Sequence, residues 1–189
     1  AAAAAADGLG GLAKLILAGR AAEALQRWRD TAGELGKGLA DEQRQTITGQ
    51  FEALAGMNRQ ILASLKADVG KTVEIELAKE KITGEVSDVA TDGVQINQVI
   101  RQGQGVGRLR RTVRLGDHGI AERLRRLDGG DAPETNLQRG LLALEAGRPD
   151  TARKLFAKAG SPLGEALVAE LKARQAEARE GAAEQAVIE

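Results

Sequence analysis

The stretch RQGQGVGRLRR, residues 101–111, comes closest in this sequence to a recognisable chemical motif. Gly103, Gly105 and Gly107 followed by arginines are the raw material of a phosphate-cradling loop, in which backbone N–H groups wrap an anion at a helix N-terminus. The spacing argues against that chemistry. A dinucleotide-binding loop needs a glycine where Arg108 stands and must open a helix, whereas an alternating strand pattern follows here. A P-loop needs Lys-Ser or Lys-Thr after its last glycine, and neither is present. Gly70-Lys71-Thr72 supplies such an ending, but it lacks the earlier loop glycine and also leads into a strand pattern. Both stretches read better as connections beside strands. His118, the only histidine, follows Asp117 and so offers a base with an orienting carboxylate. No nucleophile lies near it in sequence, and a polar loop residue ahead of a helix is the plainer reading. With one histidine, no cysteine and no carboxylates at ligand spacing, no metal centre is expected. No catalytic residue, cofactor or metal ligand is assigned, and the chain reads as a non-enzyme.

The arginines carry a stronger signal. Between residues 101 and 126, Arg101, Arg108, Arg110, Arg111, Arg114, Arg123, Arg125 and Arg126 face only Asp117 and Glu122, a local surplus of +6 in a chain of zero net charge. Arg108, Arg110 and Arg114 share one face of an alternating strand and suit phosphates or carboxylates. No aromatic residue is interleaved with them, so bases would find no stacking platform. Three readings stand: a solvated face that pairs with acidic helices of this chain or its parent, a surface for an acidic protein partner, and a nucleic-acid contact. Arg108, Arg110, Arg114, Arg123 and Arg126 are the candidate partner-binding residues.

The elements that position these residues fall into three zones of different hydrophobic period. Residues 9–67 repeat apolar side chains at three and four, with a break at Gly19-Arg20 and a long stripe of Ile47, Phe51, Leu54, Ile61, Leu62 and Leu65, the pattern of amphipathic helices. Gly49 and Gly56 interrupt that stripe and suggest a close packing partner. Residues 69–117 alternate with period two: Val73, Ile75 and Leu77, then Ile82, Gly84 and Val86, then the Asp92-Gly93 turn signal, then Leu109, Val113 and Leu115 opposite the arginines. Residues 118–183 are helical again, with Pro133 and Ser161-Pro162 at helix starts. Residues 1–8, an alanine tract, are expected to be a linker and 184–189 a frayed tail. The first residue is alanine, which suggests a fragment of a longer protein. Aromatic residues are confined to Trp28, Phe51 and Phe156, so the core must be aliphatic. The absence of cysteine suits a reducing, cytoplasmic compartment. No apolar run reaches the roughly 20 residues of a membrane span, and no membrane insertion is expected.

Two segments resemble known families. LAGRAAEALQRW and LEAGRPDTARKLF match each other across the helical zones. In and around the second, Gly140, Gly147, Ala152, Phe156 and Ala159 follow the spacing of a tetratricopeptide repeat, in which small residues let two helices approach and an aromatic fills the groove. VGKTVEIELAKEKITGEVSDVATDGVQI has the rhythm of an Sm-like or SH3-like small barrel, with Gly84 suited to a bent strand. The expected fold is therefore α+β: a small antiparallel barrel flanked by N-terminal helices and a C-terminal TPR-like hairpin. The combination resembles the accessory region of large bacterial multidomain proteins, including some serine/threonine kinases. That resemblance implies a non-catalytic interaction or scaffold module whose partner is a protein or another domain of the parent chain. The alternative is a nucleic-acid-binding Sm-like module that uses residues 108–114.

Overall fold

In the computed structural model the backbone is described for residues 2–102, 105–127 and 129–188, and the side chains for 8–100, 107–127 and 129–181. The chain is α+β, with seven α-helices and one four-stranded antiparallel sheet among the described residues. It divides into two compact units, one formed by residues 1–55 with 130–189 and the other by residues 56–129.

The first unit is helical: α1 (Ala2–Leu17), α2 (Ala21–Leu35), the first part of α3 (Asp41–Lys66), then α5 (Pro133–Glu145), α6 (Pro149–Lys158) and α7 (Pro162–Ile188). Helix α1 begins at Ala2, ahead of residue 9 where the apolar period starts. The two similar stretches fold as two similar hairpins, α1–α2 and α5–α6. Gly19 and Gly147 end the first helix of each pair with φ of 77° and 70°, a left-handed conformation that favours glycine. The following residues close the turns identically: Arg20 N–H donates to the Leu15 carbonyl at 2.9 Å and Arg148 N–H to the Ala143 carbonyl at 2.8 Å. Ala24 and Ala152 are buried at matching positions, as are Trp28 and Phe156. Trp28 stacks on Phe51 with ring centroids 5.7 Å apart, and its indole N–H donates to Thr48 at 2.8 Å, so its one polar atom is satisfied. Leu137, Ala159, Leu163 and Leu167 belong to the same buried cluster. Arg174 of α7 donates to the carbonyls of Lys14 and Leu17 at the end of α1.

The second unit holds the sheet: β1 (Thr72–Glu76), β2 (Lys81–Val89), β3 (Gly93–Gln102) and β4 (Gly105–Arg114), in the order β1-β2-β3-β4 with every pair antiparallel. A 3₁₀ turn (Leu115–Asp117) and α4 (Ile120–Arg126) follow. Alternation puts Ile75, Ile82, Val86, Val94, Ile96 and Val113 on the buried face. Ser87 is the extra residue of a bulge in β2, since Val86 pairs with Ile96 and Asp88 with Gln95.

Three expectations need correction. The sheet is open and does not close into a barrel. After Arg114 the chain tightens into the 3₁₀ turn and starts α4 at Ile120, so only a Leu77–His118 bridge forms where a closing strand would lie. Leu109 shares the parity of buried Val113 but is 46% exposed. The pairing of β2 with β3 ends at Asn97, and the β3–β4 hairpin continues beyond it. Gly49 and Gly56 have no close partner, because a Cβ on either would meet no atom within 4 Å. Gly140 does: a Cβ there would lie 2.3 Å from the Phe156 ring. The same substitution at these sites has opposite effects. Gly49→Ala, in open helical backbone, should raise unfolding free energy by about 0.5–1 kcal/mol, whereas Gly140→Ala should lower it by about 1–3 kcal/mol through overpacking. Urea unfolding followed by circular dichroism measures both.

Candidate interaction surface

A sheet of this order has two edges, and residues 117–125, by backbone and side chain, cover part of one of them. Along β1, the odd residues face β2, as the Leu77 N–H bond to the Glu80 carbonyl shows. The even residues point outward, and their polar groups are taken toward the C-terminal end of the strand. Gly119 N–H donates to the Glu76 carbonyl at 2.8 Å, and Ala78 N–H donates to the Asp117 carbonyl at 3.0 Å. The Glu76 N–H reaches the Glu122 carboxylate at 3.4 Å, and Arg125 donates to the Glu74 carbonyl at 3.1 Å.

Glu122 is the centre of this closure. Its side chain is 1% exposed, and it accepts from Arg126 Nε at 2.7 Å and from Arg125. Arg126 also binds Asp68, beyond the end of α3, and donates to the Ser64 carbonyl at 3.5 Å. The Arg126 hydrogen bond holds the Asp68 carboxyl below its usual range against the opposing effect of burial, and Lys71 adds to the lowering. Burial alone would depress the Arg126 guanidinium; its bonds to Asp68 and Glu122 outweigh that and raise it. Arg123 is 7% exposed and engaged within the protein. Of the five arginines expected to meet a partner, Arg123 is thus buried and Arg126 is bonded to carboxylates of its own unit.

His118 is buried and joined to Leu77 by the β-bridge, rather than displayed in a loop. Its Nδ1 lies 3.0 Å from the Arg114 carbonyl. A carbonyl only accepts, so Nδ1 carries the proton. The Asp117 carboxylate accepts from the Arg114 backbone N–H at 3.2 Å. The two side chains therefore fasten the end of β4.

The other edge is open. Leu115 N–H donates to the Asp92 carbonyl, while the N–H and carbonyl of Arg114 are taken by Asp117 and His118. Antiparallel pairing alternates, so the odd residues of β4 bond to β3 and the even ones face away from it. The outward groups belong to Arg108, Arg110 and Thr112, all three exposed and without a backbone partner among the described residues. The side chains of Arg108, Arg110 and Arg114 lie on the solvent face and form no ion pair among the described residues, in contrast to Arg111, which crosses to Glu80 at 2.6 Å on the opposite face. The Arg101 side chain and residues Gly103 and Gln104 lie outside the described residues.

Beside Arg108 the sheet face dips into a shallow cavity of ≈ 290 Å³, lined chiefly by Thr72, Thr83, Glu85, Asn97, Val99 and Arg108. Val99 stands directly across from Arg108 and is 63% exposed. One rim of the sheet thus carries cations, an exposed valine and unpaired backbone together.

Comparison with known proteins yields no match among family models, curated proteins or solved structures. Among the described residues, no helix is long and apolar enough to cross a membrane. Gly140, Gly147, Ala152, Phe156 and Ala159 all belong to the helical unit, and the arginines of β4 belong to the sheet unit. Sequence reasoning missed Glu122 and Asp68. The signal for Glu122 was present in its spacing of three and four from Arg125 and Arg126. Lys71, three residues on from Asp68, gives no hint of its bond to Arg126, which lies 58 residues away.

The two sets of arginine contacts separate in stability measurements. Glu122→Gln removes the charge that two buried or bonded guanidinium groups require and should cost about 3 kcal/mol. Arg108→Ala and Arg110→Ala should stay within about 0.5 kcal/mol of wild type. Asp68 contributes stability above its unfolded pKa of about 3.9, and that stability is lost as pH falls through the lower folded value. Asp68→Asn should therefore be less stable than wild type at neutral pH and lose less on acidification, as read by urea midpoints at pH 7 and below pH ~3.

Proposed function

We propose that this chain is a non-catalytic protein-interaction or scaffold module, an accessory part of a larger bacterial multidomain protein, whose contact surface is the β4 rim. The observation that carries the reading is that Arg108, Arg110 and Arg114 are exposed on one strand face without ion pairs among the described residues, next to exposed Val99. Holding three like charges close together on a rigid strand costs electrostatic energy, and a partner's carboxylates would offset it. Arg125 and Arg126 serve the unit's own carboxylates.

The β1–β4 meander, the 3₁₀ turn after it and the bonds of residues 117–119 to β1 support kinship with an opened Sm-like or SH3-like architecture. The glycine-closed α5–α6 hairpin, with Gly140 against Phe156, supports the TPR-like reading. The cysteine-free composition supports a reducing, cytoplasmic setting. Peptide display tests the proposal. Random peptides selected on the full chain should be enriched in Asp and Glu and should lose binding to the R108E/R110E/R114E variant. Peptides of neutral composition that bind wild type and variant equally would refute it.

A further inference from the structure

Resting on the interaction reading above, we propose that β4 accepts an extended acidic peptide as an added antiparallel strand, with a carboxylate at every second residue. The argument starts from the contrast between the two sheet edges. An unpaired edge strand is a template for another chain, and proteins ordinarily cover it or blunt it. The β1 edge is covered: the Glu74 carbonyl, both polar groups of Glu76 and the Ala78 N–H have partners from residues 117–125. The β4 edge is fastened at Arg114 alone, and from Arg108 to Thr112 the outward backbone groups are unpaired among the described residues. This free run belongs to a strand long enough to sustain pairing, Gly105–Arg114.

The arginines choose the occupant. In an antiparallel pair, residues that exchange hydrogen bonds stand directly opposite, with their side chains on the same face about 5 Å apart. The residues of β4 whose N–H and carbonyl face outward are the ones bearing Arg108 and Arg110. A second copy of β4 would bring arginine against arginine, and like charges in that position destabilise the pair. A strand with Asp or Glu at alternate positions meets each guanidinium with a carboxylate while its backbone completes the ladder. The intervening residues of that strand point to the other face, where exposed Leu109 of β4 offers an apolar neighbour. The same arginines therefore discourage self-association and select a partner of opposite charge.

The test uses the full chain and a fluorescent peptide of alternating Glu and Val as long as β4, read by anisotropy. The geometry places the Glu amides toward β4 and the Val amides away from it. N-methylation of the Glu amides should weaken binding by about tenfold or more, whereas N-methylation of the Val amides should leave it within about twofold. Thr112→Pro removes one outward donor without touching the β3 ladder and should also weaken binding; if that variant fails to fold, the two methylated peptides carry the test on the native protein. R108E/R110E should abolish binding. Equal binding of the two methylated peptides would overturn strand addition while leaving an arginine-based interaction surface intact. Failure of every Glu–Val peptide, or preference for a single-stranded oligonucleotide over all of them, would overturn both.

Discussion

Taking a carboxylate out of water costs several kcal/mol, which must be matched by partners in place before the group is buried. Glu122 faces that constraint with 1% of its side chain exposed, and the second unit is arranged around meeting it. Arg125 and Arg126 approach it from the next turn of α4, and the Glu76 N–H approaches from the strand. Arg126 then reaches Asp68 beyond the end of α3. One buried anion thereby fixes α4 against β1 and ties both to the residues following α3. The same placement lets residues 117–119 cover the backbone of β1.

That arrangement explains why the sheet remains open and why its edges differ. The segment after β4 bends at once into a 3₁₀ turn, and His118 and Asp117 use their side chains to hold the polar groups of Arg114. The chain then enters α4, whose charged side chains replace the hydrogen bonds of a fifth strand along β1. Beyond Arg114 nothing equivalent lies along β4 among the described residues. The arginines there differ from those of α4 in position and not in chemistry: a guanidinium within reach of Glu122 becomes structural, and one on the far strand stays exposed.

The helical unit solves a different problem by repetition. Its hairpins turn at left-handed glycines with matching hydrogen bonds, and each buries an alanine and an aromatic at matching positions. Phe156 fits because Gly140 has no side chain, so the ring occupies the space where a Cβ would stand. With few aromatic rings in the whole chain, Trp28 and Phe51 stacked on each other and Phe156 in the second hairpin are its bulkiest buried groups.

Much of this was legible before any coordinates. The period of apolar residues decided helix or strand, since side chains repeat at 3.6 along one and at two along the other. The paired LAGR and EAGR stretches marked two like turns, because glycine adopts the left-handed conformation such turns need. The alternation of β4 put Arg108, Arg110 and Arg114 on one face. What the sequence could not determine was which charges meet. Asp68 and Arg126 are far apart along the chain, and their bond exists only because the fold brings α4 beside the residues after α3. Nor could a count of strands show whether the sheet closes, since closure depends on whether the chain after β4 continues extended or turns. Local periodicity is a property of neighbouring residues and can be read in order. Pairing of distant charges and the fate of a sheet edge are properties of three-dimensional packing, and only the tertiary structure decided them.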